Sequence, residues 1–191
     1  MDNSTTLAKL ARWERWGLVL LLLLVVAFGV LVEIRTAFLK RHMGDFGCYA
    51  RAAWAVRTGG DLYEVTDDNT WHYNYPPLFA ILMAPLANAP PGADASGMLP
   101  WAWVAGIWYV LNILCLALAV HWLAGALEQT SALSALRGQP AGTRTWWLLR
   151  VLPVLVCVVP IGHTLMRGQA NLVLLALLCG MAAGMRRATM L

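Results

Sequence analysis

Residues 99–124 read LPWAWVAGIWYVLNILCLALAVHWLA. These twenty-six residues carry no formal charge, and a helix needs about 20 apolar residues to cross the hydrocarbon core of a bilayer. Trp101, Trp103 and Trp122 stand near the two ends, where indoles settle at headgroup depth. Outward from this stretch the chain stays apolar: between Asp68 and Glu128 the only charged residue is Asp94. Of the 191 residues, 60% are hydrophobic and 13% charged, against roughly 25% charged in a soluble domain. That composition excludes a water-soluble fold. It predicts an all-α, polytopic integral membrane protein with about four or five membrane segments.

Three further segments supply the other crossings. Gly17–Val32 is a Leu/Val run framed by Trp13, Trp16 and Arg35; no small-residue cleavage site follows it, so it reads as a retained anchor rather than a signal peptide. Gln169–Met185 is closed by Arg186 and Arg187. Trp146–Met166 is long enough but interrupted by Arg150, Pro153, Pro160 and His163. Pro77–Ala87 is apolar and short. Basic residues flank these segments as headgroup anchors and form no stripe of the kind nucleic acid requires. Cys115, Cys157 and Cys179 lie inside apolar runs and Cys48 stands alone, which offers neither a disulfide framework nor a CxxC pair.

The scarce charge is concentrated in one loop, residues 33–75. It holds six of the ten acidic residues, Glu33, Asp45, Asp61, Glu64, Asp67 and Asp68. Within it Phe46, Tyr49, Ala50, Ala53 and Trp54 recur at helical spacing, which predicts a juxtamembrane amphipathic helix stopped by Gly59-Gly60. Asp45 falls at its N-terminus, where an aspartate is also a favoured cap.

Four short motifs follow in order: Gly44-Asp45-Phe46-x-x-Tyr49, Gly60-x-Leu62-Tyr63, Tyr73-x-Tyr75-Pro76-Pro77-Leu78-Phe79 and Gly168-Gln169-x-Asn171. Together they resemble the N-terminal half of glycosyltransferase family eighty-seven, polyprenol-phosphate-mannose-dependent mannosyltransferases of the GT-C superfamily. Members run to roughly twice this length, so the resemblance makes residues 1–191 a single transmembrane domain, the N-terminal part of a longer GT-C module. It implies a hexosyltransferase of the cell membrane, multi-pass, that moves mannose from a polyprenyl-phosphate donor to a lipid or glycan acceptor with inversion. It also makes the 33–75 loop extracytoplasmic and Asp45 its catalytic base.

A leaving phosphate needs positive charge near it, aromatic faces beside an acidic loop suit a sugar or a polyprenyl chain, and the resemblance suggests that Gln169 and Asn171 approach the substrate; the expected substrate-binding residues are therefore Arg41, Tyr49, Arg51, Tyr63, Tyr75, Pro76, Pro77, Arg167, Gln169 and Asn171. Each has a plainer reading. Lys40, Arg41, His42 and Arg51 are also headgroup contacts; Arg150 and Arg167 sit close enough to segment ends to snorkel. Tyr75, Pro76 and Pro77 suit an interfacial helix start, and Gln169 and Asn171 suit a helix cap. Asp61, Glu64, Asp67 and Asp68 mimic a metal cluster in composition, but Asp67-Asp68 in its Thr/Asn setting reads as a solvated turn; no metal and no cofactor is expected.

Topology adds one condition. If Asp45 and the Gly168-Gln169 loop share a site, an even number of crossings separates them; counting Pro77–Ala87 as a crossing makes three, so either that short segment or the proline-flawed Trp146–Met166 segment is a re-entrant piece. Three crossings also leave the Asp45 loop on the side richer in Lys and Arg, against the positive-inside rule. Two rival classes stand beside the enzyme: a small transporter-like protein, and a non-catalytic, truncated assembly subunit.

Overall fold

Helix α1 runs Arg12–Glu33 and α4 runs Trp101–Glu128, and both are long and apolar enough to cross a membrane. The structure, a computed structural model, describes residues 11–35, 44–129 and 143–188. The remaining helices are α2 (Gly44–Thr58), α3 (Pro77–Leu82) followed by a 3-10 turn at Ala84–Leu86, α5 (Arg144–Arg150), α6 (Leu152–Val156), α7 (Val158–Arg167) and α8 (Asn171–Ala188). Among the described residues there is no strand; Thr66 and His72 form an isolated bridge. The expected all-α membrane architecture is therefore present. Arg41, with Lys40 and His42, lies outside the described residues.

The proline-interrupted segment forms a broken span. α5–α6 and α7 meet at an angle of 61° around Cys157. Pro160 has no N–H for the Val156 carbonyl and its ring crowds that carbonyl, which is the ordinary cause of a helix break. Taken as one span it brings the number of membrane-length helices to three. Asn171–Met185 is a further apolar helix, shorter than these. Pro77–Ala87 is different: α3 has six residues, about 9 Å of helix against a hydrocarbon core of about 30 Å.

The chain divides into two compact units. The first comprises residues 1–27, 113–162 and 171–191. Here Trp13 meets Trp147 edge to face at 5.1 Å, and a Cβ on Gly17 would stand 2.7 Å from the Trp147 ring. Glu14 is fully buried; it accepts the Ala11 N–H at 2.8 Å and pairs with Arg144 at 3.2 Å. Arg150 is paired with Glu128 at 2.6 Å, so this intramembrane arginine is neutralised within its own unit rather than directed at a substrate.

The second unit, residues 28–112 and 163–170, is built round α2. The helix forms where the apolar spacing predicts, but its burial is wider than a stripe. Arg51 and Ala52, off the predicted face, are buried along with Phe46, Tyr49, Ala50, Ala53 and Ala55. Alanine is the reason. With methyl groups on several sides the helix backbone lies close to its neighbours, and the Asn88 N–H reaches the Ala50 carbonyl at 3.0 Å. Gly59 ends the helix at φ +75°, and the Gly60 N–H closes onto the Ala55 carbonyl at 2.9 Å, an αL termination that favours glycine. Phe46 is stacked between Trp101, at 5.3 Å, and Trp108, at 5.1 Å.

Candidate functional site

Asp45 sits in the first turn of α2, and its Oδ2 accepts a hydrogen bond from Arg167 Nε at 3.0 Å. The two residues are 122 positions apart. Arg167 occupies the last turn of α7, and the chain then turns at Gly168, φ +68°. That turn is fixed from three directions. The buried Trp108 indole donates to the Gly168 carbonyl at 2.9 Å, the Gly168 N–H bonds the Leu165 carbonyl, and the Gln169 N–H bonds the Thr164 carbonyl. Both side chains of the pair are partly exposed, at 24% for Asp45 and 39% for Arg167.

The Arg167 guanidinium lies over the Trp71 ring at 5.3 Å from its centre. A cation placed so on an indole is held by the ring quadrupole as well as by the carboxylate. A Cβ on Gly44 would stand 3.0 Å from Trp71 and 3.7 Å from the Arg167 guanidinium. The glycine that precedes Asp45 thus leaves room for both groups.

A cavity of about 680 Å³ opens beside the carboxylate, lined by Asp45, Cys48, Tyr49, Trp71, His72 and Tyr75 among others. Tyr49 is buried in an aromatic cage, edge to face with Tyr75 and Phe79 at 5.1 and 5.0 Å. Its hydroxyl donates to that of Tyr75 at 3.1 Å and receives the backbone of Ala170. Burial raises the Tyr49 phenol well above its ordinary value, with the Tyr75 hydrogen bond adding to it, so it remains a neutral donor. Burial also pushes Cys48 up to about 12, helped by the carboxylates of Asp67 and Asp45. The thiol is therefore inert.

Of the residues singled out in the sequence, Asp45, Tyr49 and Tyr75 come together on this cavity, with Arg167 on the carboxylate. Tyr63 does not line the cavity but is tied to a residue that does: its hydroxyl donates to the Tyr75 carbonyl at 3.2 Å. Pro76 accepts from the Tyr73 hydroxyl at 2.8 Å and Pro77 opens α3. Gln169 lies on the Gly168 turn, its side-chain oxygen 3.5 Å from the Thr164 hydroxyl. Arg51 is placed elsewhere. It is buried, bonded to Asp68 at 3.0 Å and to the Thr66 carbonyl at 3.4 Å, and it clamps the 66–68 segment to α2. Asn171 begins α8 and belongs to the other unit.

Trp71 and Asp67 were not among the predicted site residues. Asp67 is not a solvated turn residue but is buried at 4% exposure. Its Oδ1 accepts the backbone N–H groups of Asn69, at 2.9 Å, and Trp71, at 2.8 Å, and its Oδ2 accepts from the Asn69 side chain at 2.9 Å. The signal that points to it is Gly47, the fourth residue of α2. A Cβ there would meet Asp67 Oδ2 at 3.2 Å.

The arrangement can accept a proton at a carboxylate beside a cavity, offer a fixed guanidinium to an anion, and present aromatic faces to a sugar or an apolar chain. The sequence model of glycosyltransferase family 87 matches residues 73–190. The match takes in Tyr75, Arg167 and the Gly168 turn, while Asp45 and α2 precede it. No curated protein and no solved structure matches the chain.

Proposed function

This chain belongs to glycosyltransferase family 87, and on that basis we propose that it moves mannose from a polyprenyl-phosphate donor to an acceptor hydroxyl, with Asp45 as general base. The observation that carries this reading is the 3.0 Å bond between Asp45 and Arg167 at the edge of the cavity. It places a proton acceptor and a phosphate-compatible cation side by side.

In the proposed reaction the acceptor oxygen attacks the anomeric carbon while its proton passes to the Asp45 carboxylate. The bond from that carbon to the phosphate oxygen breaks, its electron pair leaves with the polyprenyl phosphate, and the configuration inverts. Arg167 Nε holds Oδ2, which leaves Oδ1 for the acceptor. The guanidinium has further N–H donors for the departing phosphate, a division of labour that its planar fork permits and a lysine does not. Tyr49 and Tyr75, with Tyr63, Pro76, Pro77 and Gln169 nearby, contact the donor in this scheme.

The short α3 supports a common side for the two loops. With α1, α4, the broken α5–α7 and α8 as the crossings, two spans separate Tyr75 from Gly168. Eight of the fourteen basic residues then lie opposite the site and six beside it, the sense the positive-inside rule gives for an extracytoplasmic site in the cell membrane.

The test uses the full chain in membranes with radiolabelled polyprenyl-phosphate mannose. Asp45→Asn is expected to lower transfer by roughly 10²–10⁴-fold without changing membrane insertion. Undiminished transfer by that variant, or no donor binding by the wild-type chain, refutes the reading.

A further inference from the structure

The 66–72 turn carries a strained residue and a buried carboxylate that the proposed chemistry does not use. Thr70 adopts φ +64°, a region costly for a β-branched side chain and usually held in place by its surroundings. Asp67 supplies those surroundings. Besides its three side-chain bonds, its N–H bonds the Trp71 carbonyl at 3.0 Å and its carbonyl accepts the Thr70 N–H at 3.0 Å. Gly47 lets the Asp67 carboxylate lie directly against α2, one turn beyond Gly44. The Trp71 carbonyl is touched in addition by Cys48 Sγ at 3.6 Å. What the turn presents is the Trp71 ring, with the residue 43% exposed and the Arg167 guanidinium lying over the ring.

We infer that Asp67 is a positioning residue for the reaction: it locks the backbone of Trp71, Trp71 holds the Arg167 guanidinium, and Arg167 in turn orients the Asp45 carboxylate. The inference rests on Asp45 acting as the base. Its physical content is that an arginine on a partly exposed surface samples many rotamers, and one bond to one carboxylate does not fix it. A ring set rigidly beneath it removes most of that freedom. Errors of about 1 Å in such a position cost up to about 10²-fold in rate.

The experiment is a double-mutant cycle on the full chain in membranes, read as kcat/KM for radiolabelled polyprenyl-phosphate mannose. Asp67→Asn is expected to lower kcat/KM by roughly 3- to 30-fold. In an Arg167→Ala background the same change is expected to cost less than about twofold, because the residue it acts through is gone. If Arg167→Ala falls below detection, Arg167→Lys serves as the background. A purely structural Asp67 loses the same factor in both backgrounds, and that result overturns the inference. Trp71 gives a check that leaves Asp67 in place: Trp71→Leu is expected to match the Asp67→Asn loss and Trp71→Phe to recover most of it. Wild-type turnover from Trp71→Leu also overturns it. Asp45→Asn run alongside separates the two failures. Undiminished transfer there removes the underlying reading, whereas abolished transfer with additive Asp67 and Arg167 effects removes this inference alone.

Discussion

Replacing Gly47 by alanine sets helix propensity against the geometry of the site. Gly47 is the fourth residue of α2, and there the change is worth at most the roughly 0.5–1 kcal/mol of a helix interior in favour of folding, because glycine is the more flexible residue in the unfolded chain. Against it stands a new methyl 3.2 Å from Asp67 Oδ2 and 3.5 Å from Asp67 Cβ. That is a few tenths of an ångström too close, so the Asp67 side chain withdraws from α2 and strains its bonds of 2.8 and 2.9 Å to the Trp71 and Asn69 amides. Weakening two hydrogen bonds to a charged acceptor costs up to about 1–2 kcal/mol. The two terms nearly cancel, so Gly47→Ala is expected to leave stability within about 1 kcal/mol of wild type. Turnover is expected to fall about 3- to 10-fold, because the displacement is passed to Trp71 and Arg167. Thermal unfolding of the purified protein in detergent gives the first quantity, and transfer from radiolabelled polyprenyl-phosphate mannose gives the second. A variant with full turnover refutes the argument, as does one whose loss of activity is matched by a large loss of stability.

Phe46→Leu removes two stacked contacts, with Trp101 and Trp108, and is expected to cost about 1–3 kcal/mol, measurable as a lowered melting temperature. High pH acts on Tyr49. Its folded-state value lies above the ordinary 10.0, so the unfolded chain releases this proton first and stability falls as pH rises past 10, down to the point where the folded phenol also ionises. Tyr73, raised to about 12 chiefly by burial, contributes in the same sense. Tyr49→Phe is expected to flatten the alkaline limb of a stability-against-pH curve, and an unchanged limb counts against burial as the cause.

The helices were legible because the bilayer makes long apolar runs and because α2 carries its apolar residues at helical spacing. Gly59 and Pro77 marked ends that the backbone does use. The broken span could be anticipated only as a flawed one, since sequence locates Pro160 but not an angle. The site divides in the same way. Asp45, Tyr49 and Tyr75 lie within one loop and its helix, so local motifs found them. The bond from Asp45 to Arg167 depends on tertiary packing that no local pattern encodes. Arg51 was legible as a cation near the site, but Asp68 and the Thr66 carbonyl claim it. Asp67 was misread because its neighbours Asp68, Asn69 and Thr70 are polar. Its burial comes from backbone donors and from the missing side chain of Gly47, neither of which appears in a composition.

The 122-residue separation of Asp45 and Arg167 also sets a schedule for biogenesis. At about 5–20 residues per second the ribosome needs on the order of 6–24 s to travel from one to the other. During that interval α2, the 66–72 turn and the aromatic cage can assemble from contiguous chain, but the carboxylate waits without its arginine. Insertion of α4 and of the proline-broken span comes before the pair can close, so the last event in making the site is the arrival of the final turn of α7.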